Sequence, residues 1–171
     1  EIWMGTNEGI YVLDNKELKL LDSQLETGLP HRRIYSMHQG LDDKIWVSTY
    51  AGGLACYSDY NYKFKHILLD NSQRQMDKSH VATICEDHRG YIWVGSEDEG
   101  SIKVYSPTDK MFVRELPDEF LKQAKDIKTI VNIGNNLIAI GKNASNKITL
   151  YNYKKGQIER QIKLPIKKYP G

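Results

Sequence analysis

The chain opens EIWMGTNEGIYVLD (residues 1–14), and the same phrase returns as KIWVSTYAGGLACYS (44–58) and YIWVGSEDEGSIKVYS (91–106). Aligning Ile2, Ile45, Ile92 and, in a weaker copy, Ile138 gives steps of 43, 47 and 46 residues. A period of that length corresponds to one supersecondary unit per repeat. The next position reads Trp3, Trp46, Trp93 and Ala139, and two residues further on stand Gly5, Ser48, Gly95 and Gly141. The fourth copy is degenerate but in register.

Outward from the Ile-Trp pair, each period resolves into short strands. The second reads RIYSMHQ, KIWVSTY, GLACYS and FKHILL, and the third VATICED, YIWVGS, SIKVYS and MFVREL. These stretches are rich in β-branched and aromatic residues and are bounded by turn chemistry. Asp87-His88-Arg89-Gly90 and Leu41-Asp42-Asp43-Lys44 suit tight hairpins, as do SDYNYK and SPTDK one strand pair later. Helical spacing is confined to PDEFLKQA (117–124), where Asp118 is placed to cap a short turn of helix.

Four antiparallel strands per period predict an all-β fold of β-propeller blades, sheets packed face to face around a channel. The repeats fall at about 1–27, 28–75, 76–122 and 123–171, the first truncated. Trp3, Trp46 and Trp93 are expected to be buried as wedges between blades, with Gly5 and Gly95 allowing backbones to approach and Gly90 serving a hairpin. Since the Ile-Trp strand is the second of its blade, the first repeat is expected to supply three strands and each other repeat four. That makes fifteen strands, about 3.75 blades, and an expected fragment of a larger, seven-bladed ring.

Composition bounds the function. With 40% hydrophobic residues in 171, the chain can bury a core, and a net charge of +2 argues against nucleic acid as a partner. The Lys-rich stretch KKGQIERQIKLPIKK (154–168) reads as a solvated strand edge. The chain shows neither an 18-residue apolar span nor a charged-then-apolar leader. Cys56 and Cys85 lie in apolar strands as small core residues, with a disulfide left open. The five histidines, His31, His38, His66, His80 and His88, are dispersed without metal-ligand spacing. No nucleophile elbow or glycine-rich phosphate loop occurs, and Asp42-Asp43 and Glu97-Asp98-Glu99 read as turn carboxylates. No cofactor, metal or catalytic residue is therefore expected.

The stretches GLPHRRIYSMHQGLDDKIWVSTYAGGLACYS (28–58) and SHVATICEDHRGYIWVGS (79–96) resemble the two-component regulator propeller repeat, and the resemblance spans about residues 28 to 116. It implies the periplasmic sensor region of a hybrid two-component histidine kinase, where seven-bladed propellers precede an immunoglobulin-like domain, a membrane helix and the kinase. By that resemblance the parent would be anchored in the inner membrane, and the ligand would be an oligosaccharide released from a glycan. Two alternatives stand beside it. A protein-interaction propeller of the WD kind has a similar period, but its Gly-His and Trp-Asp signatures are missing. A propeller glycosidase or lyase would carry an Asp-box, whereas Asp87, Gly90 and Trp93 are spaced three and three.

Strand alternation sends the loops from second to third strand, and from each blade to the next, to one face. On that face the candidate ligand residues are His31, Arg32, Arg33, Tyr50, Lys78, His80, Glu97 and Glu99, with Lys142-Asn143-Ala144 as a further loop. Tyr50 is the expected sugar-stacking ring, and Arg32 and Arg33 its hydrogen-bonding neighbours. The apolar faces left at the ends of a part-ring are expected to drive self-association.

Overall fold

The computed structural model describes residues 1–21, 27–58, 63–67, 80–97, 102–113 and 116–165. Fifteen strands lie among them in four antiparallel sheets, each made of consecutive strands in meander order. Blade 1 contains β1 (Ile2–Gly5), β2 (Ile10–Asp14) and β3 (Glu17–Leu21). Blade 2 contains β4 (Ile34–Gln39), β5 (Ile45–Thr49), β6 (Gly53–Ser58) and β7 (Lys63–Ile67). Blade 3 runs β8 (Val81–Glu86), β9 (Ile92–Ser96), β10 (Ile102–Ser106) and β11 (Met111–Val113). After the short helix α1 (Asp118–Gln123), blade 4 runs β12 (Ile127–Gly134), β13 (Leu137–Lys142), β14 (Lys147–Asn152) and β15 (Gln157–Lys163). The four Ile-anchored strands are β1, β5, β9 and β13, as the repeat requires.

Local chemistry sets the turns. Asn15 and Lys16 (φ 46° and 72°) and Asn135 and Asn136 (φ 50° and 62°) form two-residue hairpin loops of the mirror-image type that matches strand twist. In blades 2 and 3 the first hairpin is longer: Asp43 N–H bonds Gly40 C=O and Gly90 N–H bonds Asp87 C=O, each at 3.0 Å. The left-handed position falls on Asp43 (φ 60°) in one and Gly90 (φ 80°) in the other, residue types that tolerate it. Asp118 does not cap α1: Pro117 precedes the helix in an extended conformation, no side chain caps the end, and Asp118 is the first helical residue. Proline fixes the entry dihedral instead.

Three apolar clusters form the core, each between successive blades. Ile10 and Val12 of blade 1 meet Ile34, Val47, Ala55 and Tyr57 of blade 2. Trp46, Leu54 and Cys56 meet Val81, Ile92, Val94 and Tyr105 of blade 3. Trp93, Ile102 and Val104 meet Ile127, Ile138, Ile140 and Tyr151 of blade 4. The rule is one of alternation: the Trp side of a second strand faces the next blade, and its Ile and Val side faces the one before. Each Trp also finds a ring on the next blade's third strand: Trp3–Tyr57, Trp46–Tyr105 and Trp93–Tyr151 lie 5.0, 5.7 and 6.1 Å apart. Trp46 and Trp93 are buried (2% and 0% exposed), but Trp3 is only half-buried. β1 is the edge strand of its sheet, so no inner strand covers the flank of Trp3 as β4 and β8 cover Trp46 and Trp93.

Cys56 and Cys85 are buried free thiols, and burial pushes their pKa values up to about 11 and about 12. Among the described residues no helix is long and apolar enough to cross a membrane.

Candidate ligand face

The inner strands of blades 2, 3 and 4 share one irregularity at their first turn. Their pairing slips between Ile34 and Ser36, between Val81 and Thr83, and between Ile127 and Thr129. The extra residues are Tyr35, Ala82 and Lys128. A bulge re-aims the side chain it carries, and here it does so at the end of the strand where the inter-blade and second-to-third-strand loops emerge.

Tyr50 is the hub of what gathers there. His80 stacks on its ring at 4.3 Å, and the Arg33 guanidinium lies 4.9 Å from the ring centroid. His31 and Tyr35 approach edge-on at 5.6 and 5.9 Å. With His80 and Arg33 this close, Tyr50 is not an open stacking platform; the ring that faces solvent is Tyr35, 41% exposed. The backbone ties the loops together, since Tyr50 N–H donates to Arg33 C=O (3.0 Å) and Glu97 N–H to His80 C=O (3.2 Å). Arg33 N–H donates to His31 Nδ1 at 3.1 Å, which leaves the imidazole proton on Nε2. The His31 pKa is lowered by burial first and then by the neighbouring Arg33 and Arg32 guanidinium groups.

The remaining candidates divide. Arg32 turns away to Glu8 at 3.4 Å, an exposed pair on the blade 1 side. Glu97 bonds Lys128 of blade 4. Lys78 and Glu99 lie outside the described residues. The structure thus brings together His31, Arg33, Tyr50 and His80, and adds Tyr35 and Lys128, which the sequence pattern did not single out. Bulges leave little trace in one sequence; the signal present was an aromatic, Tyr35, directly beside a candidate loop.

The opposite face is occupied by structural bonds. Asp87, 1% exposed, accepts Arg89 N–H (2.8 Å), the Arg89 guanidinium (2.7 Å) and Trp93 Nε1–H (2.9 Å). Glu86 reaches across the blade boundary to His38 (3.1 Å) and to Leu41 N–H (2.9 Å).

Comparison with known proteins agrees with this architecture. Residues 76–98, the first half of the third repeat, match the two-component regulator propeller family. A search of curated proteins finds no match. The chain superposes on the extracellular domain assigned to the hybrid two-component system BT4673 of B. thetaiotaomicron with a TM-score of 0.73 and 25% identity, over 92% of this chain and 20% of that one. For the corresponding domain of BT3049 from the same organism the values are 0.70, 20%, 96% and 20%. Virginiamycin B lyase from Staphylococcus aureus shares the fold at TM-score 0.70 and 18% identity, over 95% of this chain and 52% of the lyase. This chain therefore spans 20% of the length of the extracellular domains it matches. Over residues 76–98 the chain is similar to the two-component regulator propeller repeat, and its four sheets resemble the β-propeller blades in the extracellular domains of hybrid two-component systems.

Proposed function

We propose that the chain is a non-catalytic, ligand-sensing segment of a periplasmic propeller, working within a longer sensor whose membrane anchor and histidine kinase lie elsewhere in the parent. Its ligand is an oligosaccharide derived from a glycan. The observation that supports this reading is the cluster around Tyr50, built from loops of blades 2 and 3 and bridged to blade 4 by the Glu97–Lys128 pair. A site assembled from several blades reports their relative placement, so occupancy biases blade orientation and gives a receptor something to transmit. Likeness to a lyase at 18% identity is likeness of fold alone, and the chemistry has to come from the site.

Titrating a panel of neutral and acidic oligosaccharides into the chain by calorimetry tests the reading. Binding without turnover is expected, with Tyr35→Ala weakening it about tenfold through loss of the exposed ring. Turnover that disappears on replacing a single carboxylate would show an enzyme, and undiminished binding by Tyr35→Ala would move the site elsewhere.

A further inference from the structure

Charge on the candidate face is not balanced residue by residue. Its described carboxylates are Glu8, Glu97 and Asp126. Glu8 is engaged by Arg32, Glu97 by Lys128, and Asp126 lies in the field of that same lysine. Arg33 meets no carboxylate among the described residues; its guanidinium rests against Tyr50. An arginine held by an aromatic ring keeps its fork of donors pre-aimed, losing less side-chain freedom when it grips an anion. Beside it, His31 carries its proton on Nε2, because Nδ1 accepts from the Arg33 amide. The exposed Tyr35 ring meets the same Tyr50 edge-on at 5.9 Å, and is of a size and polarity suited to the apolar face of a pyranose.

We infer that this face recognises an acidic sugar, one bearing a carboxylate or a sulfate, with Arg33 and His31 Nε2–H holding the anionic group while Tyr35 packs against the ring. The inference rests on the sensing role proposed above and narrows its ligand class. Tyr50 and His80 are positioning residues: they fix the guanidinium and do not meet the ligand.

The test uses the 171-residue chain and three probes of matched length: an oligogalacturonate, a sulfated oligosaccharide and a neutral galacto-oligosaccharide. At least one acidic probe is expected to bind about tenfold tighter than the neutral one, as a charge-assisted contact does. Arg33→Gln should erase that preference while leaving the thermal midpoint unchanged, since Arg33 is exposed. Which acidic probe wins identifies carboxylate or sulfate as the recognised group. Equal affinity for neutral and acidic probes, or a preference that survives Arg33→Gln, overturns the acidic-ligand inference and leaves the sensing role standing. Binding of none of the three overturns this inference, and failure of the wider calorimetric panel as well would remove the sensing role with it.

Discussion

At the residue scale, the informative contrast is between Asp87 and Gly40, which occupy the same place six residues before Trp93 and Trp46. In blade 3 the buried carboxylate closes the hairpin, holds Arg89 and receives the indole N–H. In blade 2 the glycine offers nothing, and Trp46 Nε1, buried, has no acceptor among the described residues. Burial alone would raise the Asp87 pKa, but the bonds from Arg89 and Trp93 outweigh it and hold the pKa below its ordinary 3.8. A depressed carboxylate pKa stabilises the fold above pH 3.8, and that contribution is lost as pH falls through the folded-state value. Asp87→Asn should therefore lower stability at neutral pH by about 2–3 kcal/mol, and the loss should shrink toward acid, as read from denaturant midpoints across pH. The reciprocal change, Gly40→Asp, should stabilise by about 1 kcal/mol. Its added Cβ would meet the Asp42 carboxylate end (2.9 Å), which must shift, the indole nitrogen it is meant to serve (3.2 Å) and, at ordinary contact distance, Lys44 C=O (3.5 Å). A neutral or destabilising result would mean that the blade 2 turn cannot present an acceptor to Trp46.

At the scale of the element, the small residue two places after the Trp position sets how closely blades approach. A Cβ on Gly95 would stand 2.7 and 2.8 Å from Ile127 and Ile130 on the inner strand of blade 4 as well as 2.8 Å from Thr83 of its own sheet, and one on Gly5 would stand 2.6 Å from Ile34 on the inner strand of blade 2. In blade 4 the corresponding Gly141 would crowd only Thr129 of its own sheet, at 2.7 Å. Gly95→Ala is accordingly expected to cost about 1–3 kcal/mol, and Gly141→Ala less, in thermal or denaturant unfolding. Equal costs would show that the constraint lies within the sheet and not between blades.

For the molecule as a whole, the blades form an open arc, and its ends are unlike its interfaces. Blade 1 turns Ile2, Met4, Leu18 and Leu20 outward at 60, 39, 58 and 41% exposure, joined through the pairings Ile2–Leu13 and Tyr11–Leu20 into one apolar sheet face. By the packing rule this is the face that receives a Trp side. Leu13 stands where Tyr57, Tyr105 and Tyr151 stand in the other blades, each opposite the repeat isoleucine. Blade 4 in turn presents Ala139 where the others present Trp. The two end faces lack complementary halves of the same aromatic pair, and we expect blade 4 of one copy to pack against blade 1 of another, a head-to-tail contact. Sedimentation at micromolar concentration should find a dimer or larger species, and Leu18→Lys should dissociate it. A monomer at all concentrations would refute the pairing.

The repeat, strand order and turn positions were legible in the sequence because they depend on interactions within about 45 residues: alternating apolar positions, hairpin chemistry and the Ile-Trp register. So was the packing role of Gly5 and Gly95, since a small residue recurring beside a wedge Trp leaves room for whatever packs against that strand. The half-exposed Trp3, the uncapped α1 and the pairing of each Trp with a tyrosine of the next blade were not legible. The first depends on which strand lies alongside β1, the second on the extended Pro117 at the helix entry, and the third on which sheet packs against each Trp. The same holds for the ligand face. Tyr50 was visible as a loop aromatic, but its enclosure by His80 and Arg33 and the aiming of Tyr35 and Lys128 by bulges arise only when three blades stand side by side. Contacts between loops and blades that are not neighbours in a hairpin have no local signature, and tertiary packing alone decides them.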